Sequence, residues 1–324
     1  MTTGTARSDP GLTGLLTRRL VFVTGKGGTG KSTVATALGL AAAASGRRAI
    51  VAEVARRDDV SRALGARAGE EFTEAEVAPG LFSISIDPQH ALEEYLIDQL
   101  PMRSVARRLS GSRVFTYLAA ATPGMRELLS VGKAWELAQP ERRTPGASPY
   151  DLVVVDAPAT GHGLALLGAP ETFARVARVG PIARQGHTIH ATLVDPAATA
   201  VVAVTTPDEM AVSETLELSQ GLRRRLGIEL AAVVVNGVLP HRIGREAAHD
   251  LRDAAAASPR LAERERAAVN AALDEHTRAA AQVRQIGRLR RGVDAPLHEL
   301  PRLFADGIDL SELQELGKAL ERAL

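Results

Sequence analysis

The stretch LVFVTGKGGTGKST, residues 20–33, decides the expected fold of this chain. It begins with an apolar, β-branched run, turns through a glycine-rich loop at residues 25–33 and continues into an apolar segment of helical period. Glycines adopt backbone torsions that other residues avoid, so the N–H groups of such a loop can converge in front of a helix N-terminus. The pattern GxxxxGK[ST] between a strand and a helix is that of a phosphate-binding loop.

Three polar side chains of this loop have an expected role toward ATP and Mg²⁺. Lys31 should reach the β- and γ-phosphates, Ser32 should offer a hydroxyl oxygen to Mg²⁺, and Thr33 should contact the α-phosphate. The bare pattern does not require Lys26, which fits an exposed surface lysine equally well. The backbone N–H groups expected to surround the phosphates belong to Gly27, Gly28, Thr29 and Gly30.

A second acidic position follows an apolar run. The sequence YDLVVVDAP, residues 150–158, predicts a buried strand that ends at Asp156. An aspartate there binds Mg²⁺ or its water shell in phosphate-loop proteins, although it could also cap a helix. The next residues, 159–164, carry a hydroxyl and two glycines and are typical of a segment that moves when a γ-phosphate arrives or leaves. His162 in this segment fits an exposed loop histidine.

Strand-like and helix-like segments alternate along the chain. This order predicts a doubly wound α/β fold with a mostly parallel sheet. We expect a mobile tail over residues 1–17 and one domain over residues 18–324, with helical insertions at about 102–141 and 243–291. The predicted strands are 19–24, 49–54, 81–86, 152–156, 200–205 and 231–236, and the clearest helices are 32–44, 88–100, 208–226 and 310–324.

Composition narrows the function classes. The 324 residues include 39 lysines and arginines against 38 acids, which gives no general reason to expect nucleic acid or an anionic membrane as a partner. There is no cysteine, so disulfides, zinc–cysteine sites and iron–sulfur clusters are excluded. The first residues lack a secretory signal, and no apolar run approaches the roughly 20 residues of a membrane span. We therefore expect a cytoplasmic protein without a membrane span.

Four stretches together resemble the ArsA/Get3 ATPases, of the deviant Walker A class of SIMIBI-type P-loop proteins that includes MinD and ParA. The resemblance covers about residues 19–240 and implies a dimer that encloses two ATP molecules. It further implies that Lys26 reaches the partner's phosphates, as an arginine finger does elsewhere, and that Asn236 contacts adenine. The stretches are GKGGTGKST (25–33), DAPATGHGLALL (156–167), TPDEM (206–210) and VVVNG (233–237).

The chain departs from this family pattern after the second strand. Family members carry an aspartate there that positions the attacking water, and an ungapped match places Ala55 at that position. Glu53, Asp58, Asp59 or a residue of a partner remain as substitutes. Besides an ATP-hydrolysing switch, the sequence therefore leaves open a non-catalytic nucleotide-sensing subunit, paired with a paralogous ATPase.

The missing cysteines also limit the choice of cargo. Neither arsenite bound through thiolates nor a zinc site that joins a dimer is compatible with this chain. A protein client remains compatible, since an apolar groove suffices to capture one and residues 102–141 carry an apolar stripe. The C-terminal helix has an acidic polar side, which disfavours a MinD-like membrane role. A ParA-like, DNA-associated ATPase is a less favoured alternative.

Overall fold

An eight-stranded sheet forms the centre of the protein in a computed structural model that describes residues 11–54, 58–67, 69, 72–99, 122–144, 146–177, 179–258, 262–304 and 307–322. The strand order is β3-β4-β2-β5-β1-β6-β7-β8. Every neighbouring pair is parallel except β3 and β4. The strands are β1 (Leu20–Gly25), β2 (Ala49–Val54), β3 (Ala75–Ala78), β4 (Leu81–Ile86), β5 (Leu152–Ala159), β6 (Thr199–Thr205), β7 (Ala232–Val238) and β8 (Leu297–Pro301).

Helices cover both faces of this sheet. Alternate residues of the buried strands serve two separate cores: Leu20 and Phe22 of β1 belong to one, and Val21 and Val23 to the other. The described helices are α1 (Gly11–Leu16), α2 (Lys31–Ala44), α3 (Asp59–Ala63), α4 (Pro88–Gln99), α5 (Met125–Leu137), α6 (Thr160–Ala177), α7 (Pro181–Val194), α8 (Glu209–Leu226), α9 (Arg245–Ala257), α10 (Glu263–Gly292) and α11 (Leu310–Arg322).

The two helical layers differ in composition. Residues of α1, α2, α3 and α11 fill the core on one face, and residues of α5, α6, α7, α8 and α10 fill the core on the other.

Helix α6 carries Pro170 in its interior, where the backbone of α7 passes close by: a Cβ on Gly186 would lie 2.8 Å from the carbonyl oxygen of Pro170. None of the helices in the described ranges has the length and apolar character needed to cross a membrane.

The predicted fold class is confirmed, with two strands missed. All six predicted strands form, as does the doubly wound, mostly parallel arrangement. The missed strands β3 and β8 lie at the two edges of the sheet. Edge strands need no continuous apolar run, and both carry polar residues, with the sequences AEVA and LHELP.

Part of the segment predicted as a mobile tail forms a helix. Residues 11–16 form α1, in which Leu15 is buried against the core that α11 also fills, and the Arg47 guanidinium donates a hydrogen bond to the carbonyl of Leu16. Residues 1–10 lie outside the described part of the chain. Of the two expected insertions, 102–141 is described only from residue 122 and contains α5, and 243–291 contains α9 and most of α10.

A buried ionic network joins α5 to the edge of the sheet. The Arg142 guanidinium, 1% exposed, donates to the carboxylates of Glu136, at 3.0 Å, and of Glu74. Lys133 bridges Glu136, at 3.0 Å, and Glu94, at 2.8 Å. Burial alone would raise the pKa of the Glu136 carboxyl, but the hydrogen bonds and positive charges of Arg142 and Lys133 together outweigh it and keep that pKa below its ordinary value.

Removing Arg142 should therefore cost far more stability than removing an exposed arginine. Arg142→Ala leaves Glu74 without this ion pair and leaves the buried Glu136 with Lys133 as its one remaining cation of the network, and it should lower the free energy of unfolding by about 3–5 kcal/mol. Urea unfolding would measure this loss. Arg223→Ala is the matched control, because Arg223 pairs with Glu229 and Asp294 on the surface. Similar losses in both variants would contradict the stabilising role of the network.

Candidate functional site

The glycine-rich loop at residues 25–33 leaves the central strand β1 and enters α2. At Gly25 φ is +144°, and a Cβ there would lie 2.0 Å from the carbonyl oxygen of Val204 on β6. At Gly30 φ is +91°, and a Cβ would lie 2.3 Å from Nδ2 of Asn236. Both positions therefore require glycine. At Gly27 and Gly28 a Cβ would meet no described atom within 4 Å, so this part of the loop faces open space.

Side chains brace the loop from within. The Thr29 hydroxyl lies 2.9 Å from the carbonyl oxygen of Lys26 and 3.1 Å from that of Val204. The Lys31 ammonium donates to the same Lys26 carbonyl at 3.0 Å, and the Asn236 amide donates to the carbonyl of Thr29 at 2.9 Å. The loop is thus fixed to both β6 and β7 at the carboxyl edge of the sheet.

The structure brings Ser32 and Asp156 together, as a shared metal site requires. The Ser32 hydroxyl at the start of α2 donates to Oδ2 of Asp156 at 2.6 Å, and Asp156 is fully buried. A hydroxyl and a carboxylate are the hard oxygen ligands that Mg²⁺ prefers, and this cation usually takes few protein ligands and several waters. The donor set therefore fits Mg²⁺ held jointly with phosphate oxygens.

Glu53 lies beside Asp156 at the same edge. The two residues are register partners on β2 and β5, and strand alternation places both on the face that α2 covers. Oε1 of Glu53 accepts the backbone N–H groups of Asp59, at 2.8 Å, and Val60, at 3.3 Å, at the start of α3. Burial raises the pKa of the Glu53 carboxyl to about 8, and the neighbouring Asp156 adds to this rise.

The other substitutes for the missing aspartate lie elsewhere. Asp58 is exposed, and Oδ1 of Asp59 pairs with Arg62 at 3.2 Å. Ala55 itself falls outside the described residues. Of the three acids considered from the sequence, Glu53 is therefore the one that the fold places next to Asp156.

The segment expected to respond to the γ-phosphate is helical from its second residue. Strand β5 continues to Ala159, and Thr160 is the first residue of α6. Gly163 packs against the site, because a Cβ there would lie 2.4 Å from the buried Thr24 hydroxyl at the end of β1. His162 is exposed, as predicted, but it lies in α6 and not in a loop.

Sequence reasoning missed Glu214. This residue of α8 forms an ion pair with the Lys26 ammonium, and its second carboxylate oxygen accepts the Thr160 hydroxyl at 2.9 Å. The hydrogen bond from Lys26 is the main cause that lowers the pKa of the Glu214 carboxyl. An acid on the polar side of a helix carries no local signal, so its partners emerge only from the fold.

An open cleft of about 710 Å³ lies at the carboxyl ends of β6, β7 and β8, lined by residues that follow these strands and by residues of α10. In doubly wound sheets, ligands bind at this edge. The exposed Phe304 ring lies there, with the guanidinium groups of Arg242 and Arg302 5.5 and 6.0 Å from its centroid. Such a ring offers a stacking surface for a nucleotide base. Other lining residues include Pro207, Asp208 and Glu209 of the TPDEM stretch, Leu239, Gln282 and Arg302.

The close approach of Gly163 to Thr24 predicts that alanine substitutions at Gly163 and at Gly161 differ in their effect on stability. Gly163→Ala should lower the free energy of unfolding by about 1–3 kcal/mol, because its methyl group overlaps a buried, β-branched side chain. Gly161→Ala is the control, since a Cβ at Gly161 would meet no described atom within 4 Å. Thermal unfolding of both variants checks this. Equal behaviour would show that the close approach to Thr24 is not a constraint.

The raised pKa of Glu53 predicts a pH-dependent stability. In the unfolded chain this carboxyl titrates near 4.5, and in the folded protein at about 8. Between these values the folded state binds the additional proton, so the contribution of Glu53 to stability falls as pH rises from 4.5 to 8. Glu53→Gln keeps the acceptor for the two amides and should remove this part of the slope. Unfolding midpoints at pH 5.5 and 8.5, in EDTA, would test it. Glu217→Gln, an exposed control, should leave the slope unchanged.

Comparisons with known proteins agree with this geometry. The family model for anion-transporting ATPases matches residues 18–185 and 182–254. The ATPase BagA of Mycobacterium tuberculosis is 29% identical over 93% of this chain and 92% of its own length. An arsenical pump-driving ATPase of Escherichia coli is 26% identical over 74% of this chain and 41% of its own, and ATPase GET3 of Kluyveromyces lactis is 28% identical over 54% of each. The chain therefore belongs to the anion-transporting ATPase family, the ArsA/Get3-like ATPases.

Proposed function

We propose that this chain binds Mg-ATP in the loop at residues 25–33 and works as a dimeric, nucleotide-switched ATPase of the cytoplasm. The observation that carries the proposal is the 2.6 Å contact between Ser32 and Asp156. These residues lie 124 positions apart in the chain, yet the fold brings a loop hydroxyl and a strand-end carboxylate together beside a glycine-lined loop. That combination suits a cation shared with the phosphates of a nucleotide.

In this proposal the chain acts by positioning and charge. The loop amides and the Lys31 ammonium would bind the β- and γ-phosphates, and Ser32 and Asp156 would hold Mg²⁺. When bound, Mg²⁺ neutralises charge that develops on the phosphate oxygens. Lys26 at the rim of the loop would supply a further positive charge to phosphates of the partner subunit. Asn236, which binds the loop through the Thr29 carbonyl, would contact adenine.

Hydrolysis is proposed to be slow or partner-dependent. Ala55 occupies the position at which the family carries its water-positioning aspartate. Glu53 lies nearest to Asp156, but its Oε1 already accepts two amides of α3. The second candidate function follows from the same observations: a nucleotide-sensing subunit that pairs with a paralogous ATPase, which contributes the missing carboxylate.

Helix α6 supports coupling to a protein client. Its first residue, Thr160, lies at the nucleotide site, and its other end leads to the exposed Val176 and to Val179 and Ile182. Beside this end, α4, α5 and α7 enclose a largely apolar cavity of about 230 Å³. A displacement at Thr160 would therefore reach an apolar surface suited to a client segment.

Lys31→Ala tests the site assignment. The loss of a charged donor to two phosphates should weaken ATP binding by about 30-fold or more, measured by isothermal titration with Mg²⁺ present. Lys318→Ala on the exposed side of α11 is the control for a lost lysine and should bind ATP like the wild type. Unchanged affinity in Lys31→Ala would mean that nucleotide does not bind in this loop.

Phosphate release and sedimentation separate the two candidate functions. Turnover by the purified chain, together with an ATP-stabilised dimer, would identify a self-sufficient ATPase. An ATP-binding monomer without turnover would identify the sensing subunit, and turnover should then appear when a co-purifying paralogue is added.

A further inference from the structure

Glu214 connects three segments at the rim of the proposed nucleotide site. One carboxylate oxygen pairs with the Lys26 ammonium in the phosphate loop, and the other accepts the Thr160 hydroxyl at the start of α6. Glu214 itself lies in α8. A single side chain therefore holds the loop and the first residue of the helix that leads away from the site.

The Lys26 side chain can change its partner without unfolding the loop. Its backbone is fixed, because the Thr29 hydroxyl and the Lys31 ammonium both bind the Lys26 carbonyl oxygen. The side chain, by contrast, is 29% exposed, and the carboxylate of Glu214 is 32% exposed. Ion pairs with this exposure are weak, since water screens them.

A polyphosphate would compete with Glu214 for the same ammonium. Both are anions, but a triphosphate carries more charge and offers more acceptor oxygens than one carboxylate. The open side of the loop at Gly27 and Gly28 adjoins Lys26 in sequence, so a bound polyphosphate would lie next to the ion pair. Unpaired, Glu214 would face that polyphosphate as a like charge.

We propose that Glu214 is a positioning residue, the internal counter-ion of Lys26, which a nucleoside triphosphate in the same loop must displace before Lys26 can reach the phosphates of the partner subunit. This inference rests on the proposed function. Once Lys26 has moved from Glu214 to the phosphates, the Glu214 carboxylate keeps the Thr160 hydroxyl as a partner, and the phosphates repel this carboxylate. Nucleotide bound at the loop would therefore affect α6 by two routes. One passes through Glu214, and the other through Asp156, which lies four residues before Thr160.

The test is the ATP affinity of Glu214→Gln, which keeps the shape and hydrogen-bonding capacity of the side chain but removes the competing charge. The variant should bind Mg-ATP roughly two- to fivefold more tightly than the wild type, the range expected for a partly exposed ion pair. Binding of AMP, which lacks the β- and γ-phosphates, should not change. Glu217→Gln, an exposed acid one turn further along α8, controls for net charge and should bind ATP like the wild type.

A double-mutant cycle separates exchange at Lys26 from a general structural effect. In a Lys26→Met background, Glu214→Gln should give no further gain in ATP affinity. A gain that persists in that background, or a Glu214→Gln variant that binds ATP no better than the wild type, would overturn this inference and leave the proposed function intact. A wild-type chain that does not bind Mg-ATP would overturn the proposed function and this inference with it.

Discussion

The approach of the Gly25 backbone to β6 sets the geometry of the whole site. Here the chain leaves the central strand β1 within reach of the Val204 carbonyl, in a conformation and a space that admit no side chain. The Thr29 hydroxyl lies near the same carbonyl, so the loop is held against β6 at two points. With the loop held there, α2 starts above the neighbouring strand β5, and Ser32 meets Asp156.

The parallel sheet accounts for the acidic residues at this edge. Strands β2 and β5 are adjacent and run in the same direction. Glu53 and Asp156 therefore lie side by side near the carboxyl ends of these strands, on the same face of the sheet. Burial raises the pKa of the Glu53 carboxyl, and the nearby charge of Asp156 adds to this rise. The N–H groups at the start of α3 satisfy one of its oxygens, which is how a polar side chain that is 1% exposed remains compatible with the fold.

Local sequence patterns predicted the features that depend on local chemistry. The glycine loop, the six apolar strands and Asp156 each have a signature within about ten residues, and the structure forms the loop between β1 and α2 and all six strands, with β5 running three residues beyond Asp156. Features that depend on distant partners left no such signature. Strands β3 and β8 rely on a single neighbour each, Leu15 in α1 is buried by residues near the other end of the chain, and Glu214 meets Lys26 across 188 positions.

Pro170 makes α6 easier to bend at one position in its interior. Proline has no N–H to donate to the carbonyl four residues earlier, so the hydrogen-bond ladder of α6 is interrupted there and bending is easiest at this point. Because Gly186 of α7 packs directly on the Pro170 carbonyl, a bend of α6 at this point would also displace α7. The ten residues before Pro170 form a helical segment about 15 Å long. A small shift at Thr160 would therefore tilt this segment about Pro170.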